Sequence, residues 1–266
     1  MNLTPRRSGE SFRSFIDFME SRIFTPCRIG PVELRNRVIR SAAFENMAYG
    51  NRPSKDLFDY HTAVARGGVG MTTVAYAAVS RSGLSFDGQL WMRKEIVPEL
   101  KKLTDSVHSY GAKASIQLGH CGNMTHRATC GCMPVGASSG FNLYSPTFVR
   151  ALRRDEIYSL VDDFGNAVNL AREAGFDCVE IHAGHGYLIS QFLSPYTNHR
   201  HDEWHGSAHN LHRSLTYKAG RQHQCMNPEP LQFLGYKQAL IGLHAALEPV
   251  MHIHFADLCG RIDFQA

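Results

Sequence analysis

Residues 176–195 read FDCVEIHAGHGYLISQFLSP, and this stretch decides the fold and the function that we predict. Its first six residues, 176–181, form a short apolar run, which is typical of a strand buried on both faces. His182, His185 and Tyr187 follow directly, and the glycines between them permit a turn. Two imidazoles can hold a substrate carbonyl oxygen and stabilise negative charge that develops there. A neighbouring phenol can then deliver a proton.

The two histidines also fit plainer interpretations. Imidazoles three positions apart can bind a metal, but no third ligand stands at a familiar spacing and no HExxH motif is present. They can also be ordinary histidines of a loop. A separate metal interpretation uses other side chains, whose spacings match no standard zinc pattern. Its candidate ligands are His120, Cys121, His126, Cys130 and Cys132, or the histidine-rich stretch 199–212. We expect no bound metal.

The composition indicates one globular domain. With 266 residues and 43% hydrophobic content, the chain can bury a sizeable core. The net charge of +4 comes without a sustained basic run, so nucleic acid is not an expected partner. The seven cysteines are scattered and odd in number, which favours a reducing, cytoplasmic setting over a disulfide framework. No apolar run reaches the length of a membrane span.

Strands and helices alternate along the chain. Apolar, β-branched runs predict strands, and apolar residues at helical spacing that end at glycine predict helices. We predict strands at 38–42, 69–76, 112–118 and 176–181, and helices at 55–66, 95–110 and 155–174. Ser54 is the expected N-cap of the first helix, and a small strand pair is expected to turn at Gly30. We expect loops at 80–94, which is polar, and from 119 to about 150.

This alternation predicts β-α-β units and a parallel sheet. No GxGxxG motif follows the first strand, so a (β/α)8 TIM-type barrel is favoured over a Rossmann domain. The active site of such a barrel gathers at the C-terminal ends of its strands. Polar or unusual residues recur at those ends, at 41–44, Tyr76, Gln117 and His182. Their recurrence predicts one shared pocket.

Four segments resemble a known family: 34–38 (LRNRV), 65–70 (ARGGVG), 111–120 (GAKASIQLGH) and 180–195 (EIHAGHGYLISQFLSP). Residues 23–207 look like the N-terminal half of the old yellow enzyme family, the FMN-dependent NAD(P)H:flavin oxidoreductases. The last segment is long and specific. The resemblance implies a TIM-type barrel, FMN as the cofactor and NADH or NADPH as the reductant.

The resemblance also implies which residues contact the flavin. Gln117 matches the glutamine that hydrogen-bonds the isoalloxazine ring. Tyr76 stands where a small flavin-contacting residue is usual, so we expect it to narrow the site. The segment that packs against the flavin usually reads Ser or Ala, Pro, Met, and then Thr or Cys. This chain instead has Ser41, Ala42, Ala43 and Phe44.

For the substrate, the resemblance implies a carbonyl held by His182 and His185 and a proton supplied by Tyr187. Asn46 corresponds to a residue near the substrate lip. The implied reaction has two halves: NAD(P)H reduces FMN, and hydride then passes from the flavin N5 to the β-carbon of an activated alkene. The expected substrate is a neutral enone. The loop 120–150, with aromatic residues such as Phe141, Tyr144 and Phe148, is expected either to cover it or simply to pack.

The family pattern stops after Ser207, so we predict three regions: an extension at 1–22, a partial FMN-binding barrel at 23–207 and an irregular, non-family tail at 208–266. One helix-like piece is expected at 236–247. We therefore expect a barrel truncated after about four β-α units, which leaves the fourth strand as an open edge that a homo-oligomer could cover. The alternative to a flavoenzyme is a catalytically inactive remnant, or a binding partner of an intact relative.

Overall fold

A parallel sheet forms from the apolar runs that alternate with helices, as the sequence pattern predicts. The structure is a computed structural model, and it describes residues 22–205 and the backbone of 232–234. The strands are β1 (Cys27–Ile29), β2 (Val32–Leu34), β3 (Ile39–Arg40), β4 (Ala48–Tyr49), β5 (Arg52–Pro53), β6 (Met71–Ala78), β7 (Leu90–Trp91), β8 (Lys113–Gly119), β9 (Val135–Gly136), β10 (Gly140–Asn142), β11 (Thr147–Ala151), β12 (Cys178–Ile181) and β13 (Gln232–Leu234). The helices are α1 (Lys55–Arg66), α2 (Val97–Ser109), α3 (Arg127–Cys130), α4 (Arg154–Glu173) and α5 (Leu188–Leu193).

The main sheet has the order β13-β12-β8-β6-β3, and β7 pairs with the end of β6. All of these pairings are parallel. Helices α1, α2 and α4 connect β3 to β6, β6 to β8 and β8 to β12, so three consecutive β-α-β units are present. Because the strands are parallel, their C-terminal ends lie along one edge of the sheet, where the predicted site residues stand.

Helix boundaries follow local signals in the sequence. Ser54 caps α1, since its Oγ accepts a hydrogen bond of 3.1 Å from the backbone N–H of Leu57. Such a cap typically stabilises a helix by about 1 kcal/mol. In α2, buried Leu100, Leu103 and Val107 recur at helical spacing and face the sheet. Each of these side chains contributes about 1.5–3 kcal/mol through burial of its apolar surface.

The two faces of the sheet differ in chemistry. Ile116, Leu118 and Val179 are fully buried in the main hydrophobic core with the helices. Gln117 and Glu180 alternate with them along β8 and β12, so their side chains lie on the opposite face. The polar face is therefore the interior of the predicted barrel, and it leads to the C-terminal strand ends.

A hairpin closes the other end of this interior. Strands β1 and β2 pair antiparallel around Gly30, which has φ +54°. Ile29 and Leu34 of the hairpin pack against Met71 and Cys178, which open β6 and β12. The predicted strand pair is thus present, and it leaves the C-terminal ends of the strands as the open side.

Three expected elements differ from those observed. The first strand is limited to Ile39–Arg40 instead of 38–42, and the Arg40 guanidinium donates to the carbonyl of Ala43 (3.0 Å) just after the strand ends. The polar loop predicted at 80–94 is buried at residues 83–85 and 89–90, and Leu90–Trp91 joins the sheet as β7. The long loop predicted from 119 to about 150 contains α3 and a small sheet of β9, β10 and β11.

The expectation of an unpaired fourth strand is wrong. Gln232–Leu234 pairs in parallel with Cys178–Glu180, so β13 covers that edge of β12. The expected extension at 1–22, apart from Arg22, lies outside the described residues, as do the helix expected at 236–247 and all of the tail from 208 onward except β13. None of the helices in the described part of the chain combines the length and apolarity that a membrane span requires.

Candidate active site

Four aromatic side chains meet at the C-terminal ends of β6 and β12. The ring of His182 lies 5.0 Å from those of His185 and Tyr187 and 5.9 Å from that of Tyr76, measured between centroids. Tyr76 also lies edge-on to Tyr187 at 5.3 Å. The substrate-binding and proton-donating residues predicted from the sequence are therefore adjacent in space, beside the residue predicted to narrow the site.

The two imidazoles contact each other directly. His185 Nδ1 lies 3.1 Å from His182 Nε2. The turn that allows this contact uses left-handed backbone at His185 (φ +56°) and Gly186 (φ +66°). A non-glycine residue in such a conformation costs about 1–3 kcal/mol, and this kind of strain clusters at functional sites. The glycine at 186 has the conformational role that the sequence suggested.

His182 is neutral in this environment. Burial, with a smaller contribution from the nearby His185, lowers its pKa to about 4. His182 is 7% exposed, whereas His185 is an exposed residue. A neutral imidazole can donate one hydrogen bond and accept another, so it can hold a carbonyl oxygen without adding a charge to the cavity.

Tyr187 is half-buried, and its hydroxyl contacts the loop that precedes β7. The phenol donates a 3.2 Å hydrogen bond to Ser85 Oγ. Burial raises the pKa of Tyr187, while hydrogen bonding to Ser85 and Gln89 opposes that rise. The phenol is therefore protonated at neutral pH, which is the form that a proton donor requires. No pattern in the sequence indicates Ser85 or Gln89, because both belong to the segment predicted as a polar loop.

Tyr76 packs edge-on against both His182 and Tyr187. Its hydroxyl donates to the carbonyl of Gly83 (2.6 Å), and its side chain is 6% exposed. The ring fits because residue 119 is glycine: a Cβ there would lie 2.5 Å from Tyr76 Cε2 and 3.1 Å from His182 Cβ. Gly119 thus permits the close approach of Tyr76 to His182.

Gln117 and Glu180 are register partners on β8 and β12, and both are buried. Gln117 Nε2 donates to Glu180 Oε1, and among residues 22–205 no hydrogen bond engages Gln117 Oε1. Burial raises the pKa of Glu180, and the bond from Gln117 opposes the rise. A free amide oxygen on the interior face suits an N–H group of a flavin ring, so this donor set fits FMN. Glu180 was missed, although its spacing of two from His182 places both on one face.

The segment 41–44 leaves the sheet beside this polar face. Ser41, Ala43 and Phe44 are exposed and Ala42 is half-buried. Phe44 stacks on Phe86 at 5.4 Å. This contact ties the predicted flavin-facing segment to the loop that carries Ser85.

Asn46 continues the same segment in a left-handed conformation with φ +55°. It is exposed and lies against Gly88, where an added Cβ would be 1.9 Å from Asn46 Oδ1. The structure therefore places Asn46 at the rim of the 85–89 loop. Its predicted place near the substrate lip stays a prediction.

A buried ionic cluster anchors the segment from below, and sequence reasoning missed it. Glu45 accepts hydrogen bonds from the backbone N–H of Ala75, at 3.2 Å to each carboxylate oxygen, and pairs with Arg40 at 2.6 Å. His61 Nε2 lies 3.3 Å from Glu45 without hydrogen-bond geometry, and His61 Nδ1 contacts Thr72 Oγ1 at 2.8 Å. Burial lowers the pKa of His61. These contacts fix where the 41–46 segment leaves β3.

A second support holds the loop that carries His185. Gln191 in α5 is 1% exposed and donates from Nε2 to the carbonyl of Gly186 (2.6 Å) and to Asn123 Oδ1 (2.9 Å). Its Oε1 accepts from the backbone N–H of Asn123. The amide thus joins the loop after β12 to the loop after β8, which keeps the histidine turn in place.

The residues of the metal interpretation have other partners. His120 Nδ1 accepts from the backbone N–H of Gly122 (3.0 Å), and its Nε2 contacts Ser82 Oγ at 3.0 Å. The sulfurs of Cys130 and Cys132 lie 3.9 Å apart. In the part of the chain that the structure describes, no group of three His, Cys, Asp or Glu side chains is arranged to hold a metal ion. The stretch 206–212 lies outside the described residues.

Comparisons with known proteins agree on one family for this chain. A model of the NADH:flavin oxidoreductase / NADH oxidase family matches residues 22–215, eight residues beyond the predicted end of the family pattern. The chain is 40% identical over 185 residues to 4,4'-dithiodibutanoate disulfide reductase of Rhodococcus erythropolis. It is 38% identical over 204 residues to NADPH dehydrogenase of Listeria monocytogenes. These matches cover 70% and 74% of this chain but 46% and 58% of those proteins.

Solved structures show the same relationship. The old yellow enzyme homologue of Zymomonas mobilis superposes with a TM-score of 0.71 at 30% identity, covering 80% of this chain and 62% of that one. Morphinone reductase in complex with tetrahydroNAD has a TM-score of 0.71 at 26% identity, covering 80% and 63%. The predicted TIM-type fold is confirmed, and the chain spans about half to two thirds of the proteins that it matches.

Proposed function

The chain belongs to the NADH:flavin oxidoreductase / NADH oxidase family, and we propose that it serves an FMN-dependent reduction of the activated C=C bond of an α,β-unsaturated carbonyl compound. The family cofactor is FMN, and NAD(P)H is the reductant. One observation carries the proposal: the neutral His182 contacts His185 at 3.1 Å and lies beside the protonated Tyr187. This combination suits a substrate that needs its carbonyl polarised and one carbon protonated.

FMN, when bound, supplies the hydride chemistry, by taking electrons from NAD(P)H and giving hydride to the substrate. Gln117 is the proposed partner of the flavin ring through its free amide oxygen, and 41–44 with Tyr76 are proposed to line the ring. These assignments rest on the position of the residues along one edge of the sheet and on the resemblance of the segments to the family.

The substrate carbonyl is proposed to bind between His182 and His185. Each imidazole can turn an N–H toward the oxygen, which stabilises the negative charge that develops there as hydride arrives at the β-carbon. Tyr187 then gives its phenolic proton to the α-carbon, and the product leaves as the saturated carbonyl compound. Asn46 is proposed to border the substrate at the rim of the site.

A neutral enone is the substrate class that fits best. Within the contact shell formed by Tyr76, His182, His185 and Tyr187, the side chains are aromatic or neutral, and Cys121 nearby is kept as a thiol because burial raises its pKa. No fixed positive charge in this group would pair with a substrate carboxylate. A small unsaturated ketone therefore meets the site without a desolvated, unpaired charge.

A second candidate reaction is the reduction of an organic disulfide. It is favoured by the 40% identity to a relative named as a disulfide reductase. In that reaction the same cofactor would deliver the electron pair to the S–S bond, one sulfur would leave as a thiolate, and Tyr187 would be the proton source for it. The histidine pair would then hold no carbonyl, so the two reactions depend differently on His182.

The two half-reactions can be tested separately in rapid-mixing experiments on the full chain loaded with FMN. NADPH is first mixed anaerobically with the protein, and the reduced protein is then mixed with cyclohexenone or with 4,4'-dithiodibutanoate. We expect the enone to reoxidise the reduced protein rapidly, and we expect His182→Ala to slow this reoxidation. Reoxidation by the disulfide alone would favour the second reaction. Failure of the full chain to retain FMN, with a colourless folded protein, would support the inactive alternative.

A further inference from the structure

Tyr187 is hydrogen-bonded to a serine whose own proton is directed elsewhere. The phenol donates to Ser85 Oγ at 3.2 Å, and the Ser85 hydroxyl donates to the backbone carbonyl of Met124 at 2.7 Å. The three groups form a short chain from the candidate proton donor to the loop after β8. In this arrangement the phenolic proton points toward Ser85, so it must be released before it can reach a substrate.

Ser85 is held rigidly by the backbone around it. Gln89 Oε1 accepts from the backbone N–H of Ser85 (2.8 Å) and of Phe86 (3.1 Å), and Gln89 is 3% exposed. Thr125 Oγ1 donates to the carbonyl of Leu84, the residue before Ser85, at 2.6 Å. These contacts fix the Ser85 backbone, and they leave rotation of its hydroxyl as the main freedom of the side chain.

We propose that Ser85 is a positioning residue for Tyr187: its hydroxyl accepts from the neutral phenol and turns to donate to the phenolate once the proton has gone to substrate. The inference rests on the proposed function, since it assumes that Tyr187 is the proton donor. A serine hydroxyl has one donor hydrogen and two acceptor lone pairs, so the same group can serve both states. A hydrogen bond to an ionised group is also stronger than one between neutral groups.

The step is balanced without any added reagent. The phenolic proton of Tyr187 moves to the substrate carbon, and the O–H bond of Ser85 stays intact. Only the direction of the Ser85 hydrogen bond changes, from the Met124 carbonyl to the Tyr187 oxygen. Met124 is half-buried, and its carbonyl loses this hydrogen bond when the Ser85 hydroxyl turns.

Other groups around the phenol offer a phenolate little help. The titratable groups that face it are Tyr76 from β6, Cys121 from the loop after β8, and His182 and His185 from the loop after β12. Cys121 and Tyr76 have pKa values raised by burial, and His182 has a pKa lowered to about 4. None of these three carries a positive charge at neutral pH. Hydrogen bonds from Ser85 and Gln89 are what counter the cost of burial.

Ser85→Ala and Ser85→Thr test the inference, with Ser109→Ala as a matched control. Threonine keeps the hydroxyl at position 85, whereas Ser109→Ala removes an exposed serine hydroxyl at the end of α2 that donates to the Ser106 carbonyl. The first measurement is an NMR titration of ring-labelled tyrosine in the full chain, with Tyr187→Phe identifying the signal. We expect Ser85→Ala to raise the pKa of Tyr187 by about one unit or more, since a lost hydrogen bond to a charged group is of that size.

The second measurement follows reoxidation of the FMN-loaded protein by cyclohexenone across pH. We expect Ser85→Ala to slow this step roughly tenfold to a hundredfold and to shift its alkaline limb to higher pH. Ser85→Thr should restore both properties, and Ser109→Ala should resemble the unmodified chain. An unchanged Tyr187 titration in Ser85→Ala, or equal effects of alanine and threonine, would overturn the inference. Normal enone reduction by Tyr187→Phe would instead refute the proposed donor, while the titration would still decide the role of Ser85.

Discussion

The Nδ1 atom of His185 lies 3.1 Å from the Nε2 atom of His182, so a single proton is shared along this contact. One nitrogen donates and the other accepts, and the remaining nitrogens are His185 Nε2 and His182 Nδ1. The low pKa of His182 keeps the pair from holding two extra protons at neutral pH. A carbonyl that accepts from both imidazoles would therefore have to replace this mutual hydrogen bond.

Replacing Tyr187 with phenylalanine removes the proposed proton donor and keeps the ring. The phenyl ring can still pack edge-on against Tyr76 and His182, so the fold should be preserved. General acid catalysis contributes about 10²–10⁴-fold, and we expect reoxidation by an enone to slow by about that factor. Reduction of the flavin by NADPH should be little changed. Equal slowing of both half-reactions would count against the assignment.

Acid should destabilise the protein through two buried imidazoles. Burial lowers the pKa of both His120 and His182 to about 4, from an ordinary value of 6.5. Between these pH values the unfolded chain binds protons that the folded protein does not, so stability is complete above about pH 6.5 and falls as pH drops toward 4. Each group contributes roughly 3 kcal/mol to this loss.

Urea unfolding at a series of pH values measures the effect. His120→Asn and His182→Asn should each flatten the dependence in the acid window, because each removes one titrating group. His126 is exposed, so His126→Asn provides a control that should keep the slope of the unmodified chain. If the free energy of unfolding keeps the same pH dependence in both His120→Asn and His182→Asn, other groups dominate the acid response.

Gly119→Ala should disturb the aromatic cluster. The new methyl group would lie 2.5 Å from the Tyr76 ring, and neither Tyr76 nor His182 has free space to retreat. Overpacking of this kind costs about 1–3 kcal/mol. Gly140→Ala is the matched control, since Gly140 also lies in a strand and no heavy atom stands within 4 Å of its added Cβ.

The measurement is the free energy of unfolding together with the affinity for FMN. Combining Gly119→Ala with Tyr76→Leu should recover part of the lost stability, because the smaller side chain makes room. If the losses in free energy of unfolding simply add in the double variant, the new methyl group does not clash with Tyr76.

Glu45→Ala should be strongly destabilising. It removes the acceptor of the Ala75 N–H and leaves Arg40 with two backbone carbonyls and the face of the Tyr60 ring as partners. Breaking a buried ion pair by deleting one member costs about 3–5 kcal/mol. Because the same cluster anchors 41–46, we also expect weaker FMN binding in calorimetric titration. Glu33→Ala removes an exposed carboxylate and should change neither quantity.

The sequence predicted the elements whose period is strong and local. The helix at 55–66 has its Ser54 cap and its bounds as expected, and the four predicted strands are all present. The segment 80–94 differs from its prediction because several of its polar groups have protein partners, both local and distant. Gln89 Oε1 accepts from the backbone N–H of Ser85, and the Ser85 hydroxyl donates to the carbonyl of Met124. Composition alone cannot distinguish such a buried polar loop from a solvated one.

The site residues divide in the same way: a local sequence pattern marks some of them, and only tertiary contacts bring the others together. His182, His185 and Tyr187 could be found because they stand together in one short stretch that follows a strand. Glu45 and His61 lie far apart in the sequence, and no local pattern marks either residue as part of the cluster that they form in the folded chain. The strand Gln232–Leu234 is too short to show a period, so its pairing with β12 could not be anticipated.

We expect bound flavin to face the histidine pair, and ligand titration of the FMN-loaded chain measures this arrangement. Addition of an unreactive phenol or saturated ketone should alter the flavin absorbance, because a ligand held by His182 and His185 would lie against the ring. We predict that His182→Ala weakens this binding at least roughly tenfold, the order of one lost hydrogen bond, whereas His126→Ala leaves it unchanged. If the flavin spectrum does not change when the ligand is added, the ligand does not lie against the ring. If the unmodified chain, His182→Ala and His126→Ala bind the ligand with equal affinity, His182 does not hold it.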